Sequence, residues 1–334
     1  MVQAKLTADG IGMTAILGDI GATHARFAIF DGTTIGAATV LDVRGFATPV
    51  EAIGHFLAAA SPATKPQNAV IAAAGALVGQ RIAMTNAPWV VDGELIRAAF
   101  TLSNVAVLND FEALARSLPA LGAGDVRRIG GGAPLPAAPL AVLGPGTGFG
   151  VAGFIPGGAE ETVLVTEGGH ATLAGDTARD DAVIAFLRQR FAHVSIERAL
   201  CGDGLAALCE AVIAVDRTPP ALGRAAPEIV QHALAGDCAV CVAALDLFCE
   251  LLGTVAGNVA LTLGARGGVY IGGGMVPRFV DFLARSRFRE RFEGKGRLAP
   301  YLAAIPTAVI VHPQPAFLGL ARLAQRLADA AAGR

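Results

Sequence analysis

The chain has 334 residues, which suits two domains of ordinary size or one large domain, with a core that needs no disulfide bonds. Hydrophobic residues make up 53% of it and charged residues 16%, a balance that excludes an intrinsically disordered chain. The 26 basic and 28 acidic residues nearly cancel, so there is no excess of positive charge to attract nucleic acid.

We expect neither a membrane-spanning helix nor a signal peptide. The longest run without charged residues, 129–159, contains glycines and prolines that are incompatible with a spanning helix. The apolar run 251–265 is too short to cross a bilayer. Lys5 and Asp9 precede any apolar stretch, so the sequence predicts a cytoplasmic protein without a membrane partner.

Cysteine usage fits a reducing compartment, because the five cysteines are an odd number. Cys238 and Cys241 form a C-x-x-C pair. The run that contains them, AVCVAALDLFCELLGTVAGNVALTLGA, is typical of a long buried helix. We therefore expect buried structural thiols here rather than a redox loop or a metal site.

The first half of the chain predicts an α/β sheet that begins with antiparallel strands. Short turns separate three apolar strands, TAILGDI, ARFAIF and GAATVLDV. The elements predicted after them are a helix at 50–60, a buried strand AVIAAAG, a strand at 82–85, a helix at 95–100, a strand VAVLND and a helix at 111–118. This alternation of strands and helices favours a sheet with crossover connections.

The second half repeats this pattern. Its predicted elements are the strands AVLGPG, VAGFI and VLVT, helices at 181–191, 205–215 and 239–264, the strands GVYIG and TAVIV, and a last helix after Pro315. Because each half opens with glycine-interrupted hairpins and continues into helices, we expect a duplicated two-domain fold with its site in the cleft between the halves. The Ala- and Gly-rich stretch 118–139 is the predicted boundary loop.

The first candidate site is the turn after the strand TAILGD. Asp19, Gly21 and Thr23 lie on it, and a turn with small side chains can direct backbone N–H groups at a phosphate. Asp19 could then hold a metal ion through water. An ordinary hairpin with a capping aspartate remains an alternative.

The second glycine-rich turn contains Gly146, Thr147 and Gly148 between two apolar strands. It overlaps a formal G-x-G-x-x-G ending at Gly153, and Glu167 follows at a distance that suits a ribose contact in a nicotinamide-dependent oxidoreductase. That fingerprint must open a helix, whereas proline and glycine follow here. The dinucleotide hypothesis is therefore the weaker one.

A third glycine-rich segment, Gly272 to Gly274, ends a strand and precedes a helix predicted to begin near Val276. A nucleotide can lie against bare backbone at such a position, although a packing turn explains the glycines equally well. No Walker A motif and no protein-kinase motif is present, so a nucleotide would be held in another way.

Polar residues at the ends of strands complete the candidates. Asn109 and Asp110 follow the buried strand VAVL, where Asp110 is either a general base or simply the N-cap of the next helix. Glu167 and His170 flank two glycines and can grip vicinal hydroxyl groups. Two weaker candidates each have a structural alternative, helix capping or a salt bridge for Glu197 and a turn beside the aromatic Trp89 for Asn86.

The candidate segments form an ordered series of sequence blocks: DIGxTxARFA, MTNxxW, LNDFxAxA, GPGTGxGVA, EGGH, IGGGMVPRF and SxFRERFExKG. Taken in this order, the blocks resemble those of the bacterial glucokinases of the ATP-dependent, non-ROK type. The resemblance spans residues 14–321, and the cysteine cluster that binds zinc in ROK sugar kinases is absent.

The resemblance implies a duplicated actin-like, ribonuclease H-like α/β kinase fold whose inter-domain cleft closes on glucose. Residues 1–119 with 313–334 would form the small domain and residues 120–312 the large one. The implied activity is phosphorylation of glucose at its 6-hydroxyl group, the first step of glycolysis, with ATP and Mg2+. A cytoplasmic homodimer without a nucleic-acid or membrane partner is also implied.

The resemblance also assigns site residues. The implied sugar ligands are Asn86, Asn109, Asp110, Glu167, His170 and Glu197, and Asp110 is the implied base for the 6-hydroxyl proton. The implied phosphate turns are Asp19, Gly21, Ala22 and Thr23, and Gly146, Thr147 and Gly148, with Asp19 facing Mg2+ through water. The implied adenosine segment is Gly272, Gly273 and Gly274.

Several positions depart from the family pattern, among them Thr172 and Leu173 in place of an Asp-Phe pair, and Cys201 and Asp203 in place of a serine and a proline. Ala22 and His24 stand where the family usually has glycine and asparagine. If the glycine position requires a positive φ or close contact with a phosphate, Ala22 would weaken ATP binding or force a slight shift. A catalytically impaired sugar-binding or sugar-sensing member of the same fold is therefore the alternative.

Overall fold

The fold is described from a computed structural model for residues 14–84, 87–157 and 161–331. These residues divide into two compact units. Unit 1 comprises the chain up to Leu121 and from Pro313 onward, and unit 2 runs from Gly122 to His312. Each unit is built around its own β-sheet.

The first segment of unit 1 alternates strands and helices. Its strands are β1 (Ala15–Ile20), β2 (His24–Phe30), β3 (Thr39–Asp42), β4 (Asn68–Ala73), β5 (Leu77–Val78), β6 (Arg81–Ala83), β7 (Val90–Asp92) and β8 (Asn104–Asn109). Its helices are α1 (Pro49–Ala60), α2 (Gly93–Phe100) and α3 (Asp110–Ser117).

Five of these strands form one sheet in the order β3-β2-β1-β4-β8. β2 is antiparallel to β1 and β3, whereas β4 is parallel to β1 and β8 is parallel to β4. The predicted antiparallel start and the crossovers are confirmed. The strand predicted at 82–85 is shorter, and as β6 it lies in a separate sheet, β5-β6-β7, because this segment pairs only with its neighbours in the chain.

The strand register of unit 1 brings together the segments that follow β1 and β8. Ile20 is paired in register with Ala73 of β4, and Ala73 with Asn109 of β8. The turn after β1 and the start of α3 therefore lie at the same edge of the sheet. With strands about 4.8 Å apart, the ends of β1 and β8 are about 10 Å from each other.

Unit 2 contains a second sheet and a group of helices. Its strands are β9 (Val126–Gly130), β10 (Leu140–Pro145), β11 (Phe149–Ile155), β12 (Thr162–Thr166), β13 (Gly268–Ile271) and β14 (Thr307–Ile310). Its helices are α4 (Ala178–Leu187), α5 (Ile196–Ala199), α6 (Gly202–Asp216), α7 (Ala226–Ala235), α8 (Ala239–Leu263), α9 (Val280–Arg285), α10 (Phe288–Glu293) and α11 (Ala299–Ala303).

The sheet of unit 2 has the order β12-β11-β10-β13-β14-β9. The stretch 118–139 does contain the division between the two units, which falls between Leu121 and Gly122. Its prediction as a loop is wrong, because β9 lies within it and pairs antiparallel with β14 at the sheet edge. The prediction of a helix that begins near Val276 is also wrong for its first turn. Val276–Phe279 form a 3-10 turn, and Phe279, with φ −136°, separates it from α9.

Helix α8 forms the centre of the unit 2 core. Cys238 precedes it and Cys241 lies in its first turn, and both side chains are buried, as predicted. α8 is the one helix of the described residues that is long and apolar enough to span a membrane, with a mean hydropathy of 1.9. In the most apolar part of this helix, 72% is buried inside the structure. The core helix of a folded protein has the same composition, so the composition of α8 is weak evidence for a membrane span.

The last helix, α12 (Pro315–Ala331), packs in unit 1. Phe317 and Leu320 belong to the same core cluster as residues of β1 and β4. Gly319 lies so close to the backbone carbonyl group of Ala113 in α3 that a Cβ atom there would overlap it. The predicted last helix is confirmed, and its contact supports the helix that begins at Asp110.

Candidate active site

Asn109 fixes the junction between β8 and α3. Its Oδ1 accepts hydrogen bonds from the amides of Phe111 at 2.8 Å and Glu112 at 3.4 Å, and its Nδ2 donates to the carbonyl of Gly75 at 3.0 Å. Asn109 is therefore the N-cap of α3, and the alternative that gave this role to Asp110 is wrong. The predicted sugar ligand Asn109 has a structural function at the site.

Asp110 is the first residue of α3 and is half-buried. Its Oδ1 accepts a hydrogen bond from the amide of Phe111 at 2.9 Å. Because Asn109 caps the helix, the backbone that carries Asp110 is held at the carboxyl edge of the parallel strands. A carboxylate held in this way can orient a hydroxyl group and accept its proton.

Asp19 lies near the end of β1 and faces Arg26 of β2 across the hairpin. Arg26 Nη1 and Asp19 Oδ2 are 3.8 Å apart. Burial raises the pKa of Asp19, and the charge of Arg26 opposes this shift. A desolvated carboxylate is stabilised by a nearby cation, so this position suits contact with a hydrated divalent ion.

The turn after β1 is closed by the Gly21 amide, which donates to the carbonyl of His24 at 3.0 Å. Within the described residues, the amides of Ala22 and Thr23 make no backbone or side-chain hydrogen bond, so they are available to an anion. Ala22 is not among the residues with positive φ. The alanine therefore introduces no left-handed backbone strain, and this reason for weak ATP binding does not apply.

In unit 2, the turn Gly146 to Gly148 is held by backbone hydrogen bonds. The Gly146 amide donates to the Gly148 carbonyl at 2.8 Å, and the Gly202 amide donates to the Gly146 carbonyl at 3.2 Å. Gly202 is the first residue of α6. The turn is thus attached to a helix N-terminus, which favours negative charge nearby.

Glu197, which is half-buried on α5, lies against this turn. Its Oε2 accepts a hydrogen bond from the Phe149 amide at 2.9 Å. A Cβ atom at Gly148 would overlap the same oxygen, so glycine is required there for the carboxylate to fit. Sequence reasoning treated Gly148 as a phosphate-turn glycine and missed this second reason.

Glu167 and His170 lie on the segment after β12. A 3-10 turn spans Gly168–His170, and His170 Nε2 lies 3.9 Å from Glu167 Oε2, with both side chains 61% exposed. Gly169 packs against the backbone carbonyl of Phe149, where a Cβ atom would overlap that oxygen. The start of β11 therefore contacts both this turn and Glu197.

A short backbone pairing joins the segment that follows His170 to the segment that precedes Glu197. The Ile196 amide donates to the Ala171 carbonyl at 2.9 Å, and the Leu173 amide donates to the Val194 carbonyl at 3.0 Å. This pairing follows His170 and precedes Glu197. Unit 2 thus brings together Glu167, His170, Glu197 and the turn Gly146 to Gly148.

The segment Gly272 to Gly274 follows β13 and packs on the end of β10. A Cβ atom at Gly144 would overlap the Gly272 carbonyl, and one at Gly273, which has φ +84°, would overlap the Pro145 carbonyl. Backbone packing therefore accounts for Gly273. Gly274 has open space at its Cβ position, and a nucleotide contact at this segment stays a prediction.

Three other predictions have plain outcomes. Asn86 lies outside the described residues. Trp89 is a core residue, 2% exposed, and its Nε1 donates to the Phe46 carbonyl at 3.1 Å. The dinucleotide hypothesis is wrong, because the residues after Gly148 form strand β11 instead of opening a helix.

Comparison with solved structures defines the class of protein. The crystal structure of a glucokinase from an Antarctic psychrotroph matches this chain with a TM-score of 0.84 and 34% sequence identity, covering 93% of this chain and 98% of that one. The fold, two units each built on a mixed sheet with helices, is that of the α/β sugar kinases.

Comparison of sequences defines the family. The family model for glucokinase matches residues 16–327. The glucokinase of Aromatoleum aromaticum is 47% identical over 92% of this chain and 93% of its own length, and that of Paramagnetospirillum magneticum is 44% identical over 92% and 96%. The chain belongs to the glucokinase family.

Proposed function

We propose that this chain is an ATP-dependent glucokinase, which transfers the γ-phosphoryl group of ATP to the 6-hydroxyl group of glucose in the first step of glycolysis. The observation that supports it most is the family match over residues 16–327, in which Asp110 stands at the start of α3. Asp110 accepts the proton of the 6-hydroxyl group while the oxygen of that hydroxyl attacks the γ-phosphorus of ATP, and ADP leaves.

Glu167, His170 and Glu197 bind the hydroxyl groups of the sugar, together with Asn86 and Asn109. A sugar has several hydroxyl groups, and each one that is buried without a hydrogen-bond partner weakens the binding free energy by about 1 to 3 kcal/mol. Two carboxylates and an imidazole grouped in unit 2 supply acceptors and donors for several of them. This set of polar groups favours a polyol over an apolar substrate.

The phosphates of ATP bind at the turns Asp19 to Thr23 and Gly146 to Gly148, and adenosine binds at Gly272 to Gly274. Two observations support this assignment: the amides of Ala22 and Thr23 have no hydrogen-bond acceptor among the described residues, and the second turn lies at the N-terminus of α6. Asp19 fits an ion that is held mainly by phosphates and water, because its carboxylate is a hard oxygen donor that is partly exposed. When bound there, Mg2+ neutralises phosphate charge.

The proposal has a finer structural part. Residues 1–119 with 313–334 act as the small domain and 120–312 as the large domain of a duplicated actin-like fold. The enzyme works as a cytoplasmic homodimer without nucleic-acid or membrane partners. These statements rest on the family resemblance.

A coupled assay that follows ADP release tests the function. Glucose, ATP and Mg2+ together should give rapid ADP release, and removal of any one should stop it. A panel of hexoses and phosphoryl donors then defines specificity. Thermal stabilisation by glucose without ADP release would instead establish the sugar-sensing alternative, which predicts binding without turnover.

Gly148→Ala should raise the KM for glucose by about tenfold, because the new methyl group displaces Glu197 Oε2. Gly146→Ala is the matched control, since no atom lies within 4 Å of its Cβ position. Steady-state kinetics at saturating ATP should show an unchanged glucose KM for the control. Equal glucose KM values in both variants would contradict the contact between Gly148 and Glu197.

Ala22→Gly should change the KM for ATP by no more than about twofold, because Ala22 has no positive φ to relieve. The measurement is the ATP KM of both proteins at saturating glucose. A tenfold lower KM for ATP in the glycine variant would show that the methyl group of Ala22 hinders nucleotide binding. That result would favour the alternative of a catalytically impaired kinase.

A further inference from the structure

Glu197 and the turn Gly146 to Gly148 are in direct contact within unit 2. The Glu197 carboxylate accepts the Phe149 amide at 2.9 Å, at the residue where the turn enters β11. Its Oε2 also occupies the space that a side chain at Gly148 would need. This carboxylate is therefore both hydrogen-bonded to the end of the turn and packed against it.

The turn is held at its other end by the same short stretch of chain. The Gly202 amide donates to the Gly146 carbonyl at 3.2 Å, only five positions after Glu197. Between them the Leu200 amide donates to the Ile196 carbonyl at 2.8 Å, which closes α5. The segment 196–202 thus contacts the turn at both of its ends.

Glu167 differs from Glu197 in this respect, although both are assigned to the sugar. The Glu167 side chain is 61% exposed, and its partner within the described residues is His170 at 3.9 Å. It makes no hydrogen bond to the turn Gly146 to Gly148 in the described part of the chain. The two glutamates therefore form a matched pair, with and without contact to the phosphate turn.

We infer that Glu197 is a positioning residue that couples glucose binding to nucleotide binding through its hydrogen bond to the Phe149 amide. The inference rests on the proposed function, which assigns the sugar to Glu197 and the phosphates to the turn. A sugar hydroxyl that fixes the Glu197 carboxylate also fixes the turn, so a nucleotide that binds afterwards loses less conformational entropy. By linkage, the nucleotide strengthens glucose binding by the same factor.

Calorimetric titration tests the coupling in the full chain. The Kd for glucose is measured with and without adenylyl imidodiphosphate and Mg2+, in the wild type, Glu197→Ala and Glu167→Ala. We expect the nucleotide to lower the glucose Kd by at least about fivefold in the wild type and in Glu167→Ala, and to leave it unchanged in Glu197→Ala. Coupling that persists in Glu197→Ala, or that disappears in both variants, would overturn the inference.

Nucleotide titration without glucose keeps the test decisive if Glu197→Ala binds glucose too weakly to measure. The loss of the Phe149 hydrogen bond should weaken nucleotide binding in Glu197→Ala, whereas Glu167→Ala should match the wild type. Equal nucleotide affinities in the two variants would refute the inference. Failure of the proposed function is distinct, because the wild type would then phosphorylate no glucose in the coupled assay.

Discussion

The Asp110→Asn variant is expected to lose about 10²-fold to 10⁴-fold in kcat for glucose phosphorylation. The amide cannot accept the proton of the 6-hydroxyl group. Its oxygen can still accept the hydrogen bond from Phe111, so the start of α3 should be preserved. Coupled-assay kinetics measure kcat, and calorimetry should still detect glucose binding.

Asp281→Asn is the control for this experiment, because Asp281 is an exposed carboxylate whose partner, Arg127, is also at the surface. Its kcat should equal that of the wild type. If Asp110→Asn retained near-normal turnover, the assignment of the base would be wrong, whatever its effect on glucose affinity.

The second large effect is expected on stability, from Arg291→Met in unit 2. Arg291 and Asp180 form a buried ion pair, with the two residues 4% and 1% exposed. Arg291 Nε also donates to Thr254 Oγ1 at 3.1 Å. Removal of the guanidinium leaves a buried carboxylate without its charged partner, so the free energy of unfolding should fall by about 3 to 5 kcal/mol.

Urea unfolding at pH 7 measures this loss. The matched control is Arg97→Met, which breaks the exposed ion pair with Glu94 and should cost less than about 1 kcal/mol. A loss in Arg291→Met as small as in the control would mean that the buried pair contributes little.

The pH dependence of the same variant has a definite sign. Burial alone would raise the pKa of Asp180, but hydrogen bonds from Arg291 and from the Asp176 amide outweigh it and lower this pKa. In the wild type this stabilisation is present above the ordinary pKa of aspartate, about 3.9, and is lost as the pH falls below it. In Arg291→Met the guanidinium no longer lowers the pKa of Asp180, so acid neutralises this carboxylate more readily and the deficit measured at pH 7 should shrink as the pH falls.

Local patterns in the sequence account for much of the fold. The hairpin β1–β2, the parallel strands β4 and β8 and the buried helix α8 follow from short-range alternation, glycine turns and apolar periodicity. The prediction for the segment of β9, whose partner is distant in the chain, failed. β9 lies within a stretch predicted as a loop, because its two arginines and its glycine obscure a strand that forms by pairing with β14.

The candidate site divides in the same way. Its residue types and order, from Asp19 to Gly274, could be taken from the sequence, because turns, strand ends and carboxylates are local features. That Asn109 rather than Asp110 caps α3, that Ala22 has no positive φ, and that Glu197 holds the Phe149 amide were decided by the tertiary structure. These facts depend on backbone angles and on contacts between residues as far as 48 positions apart, and no local pattern encodes them.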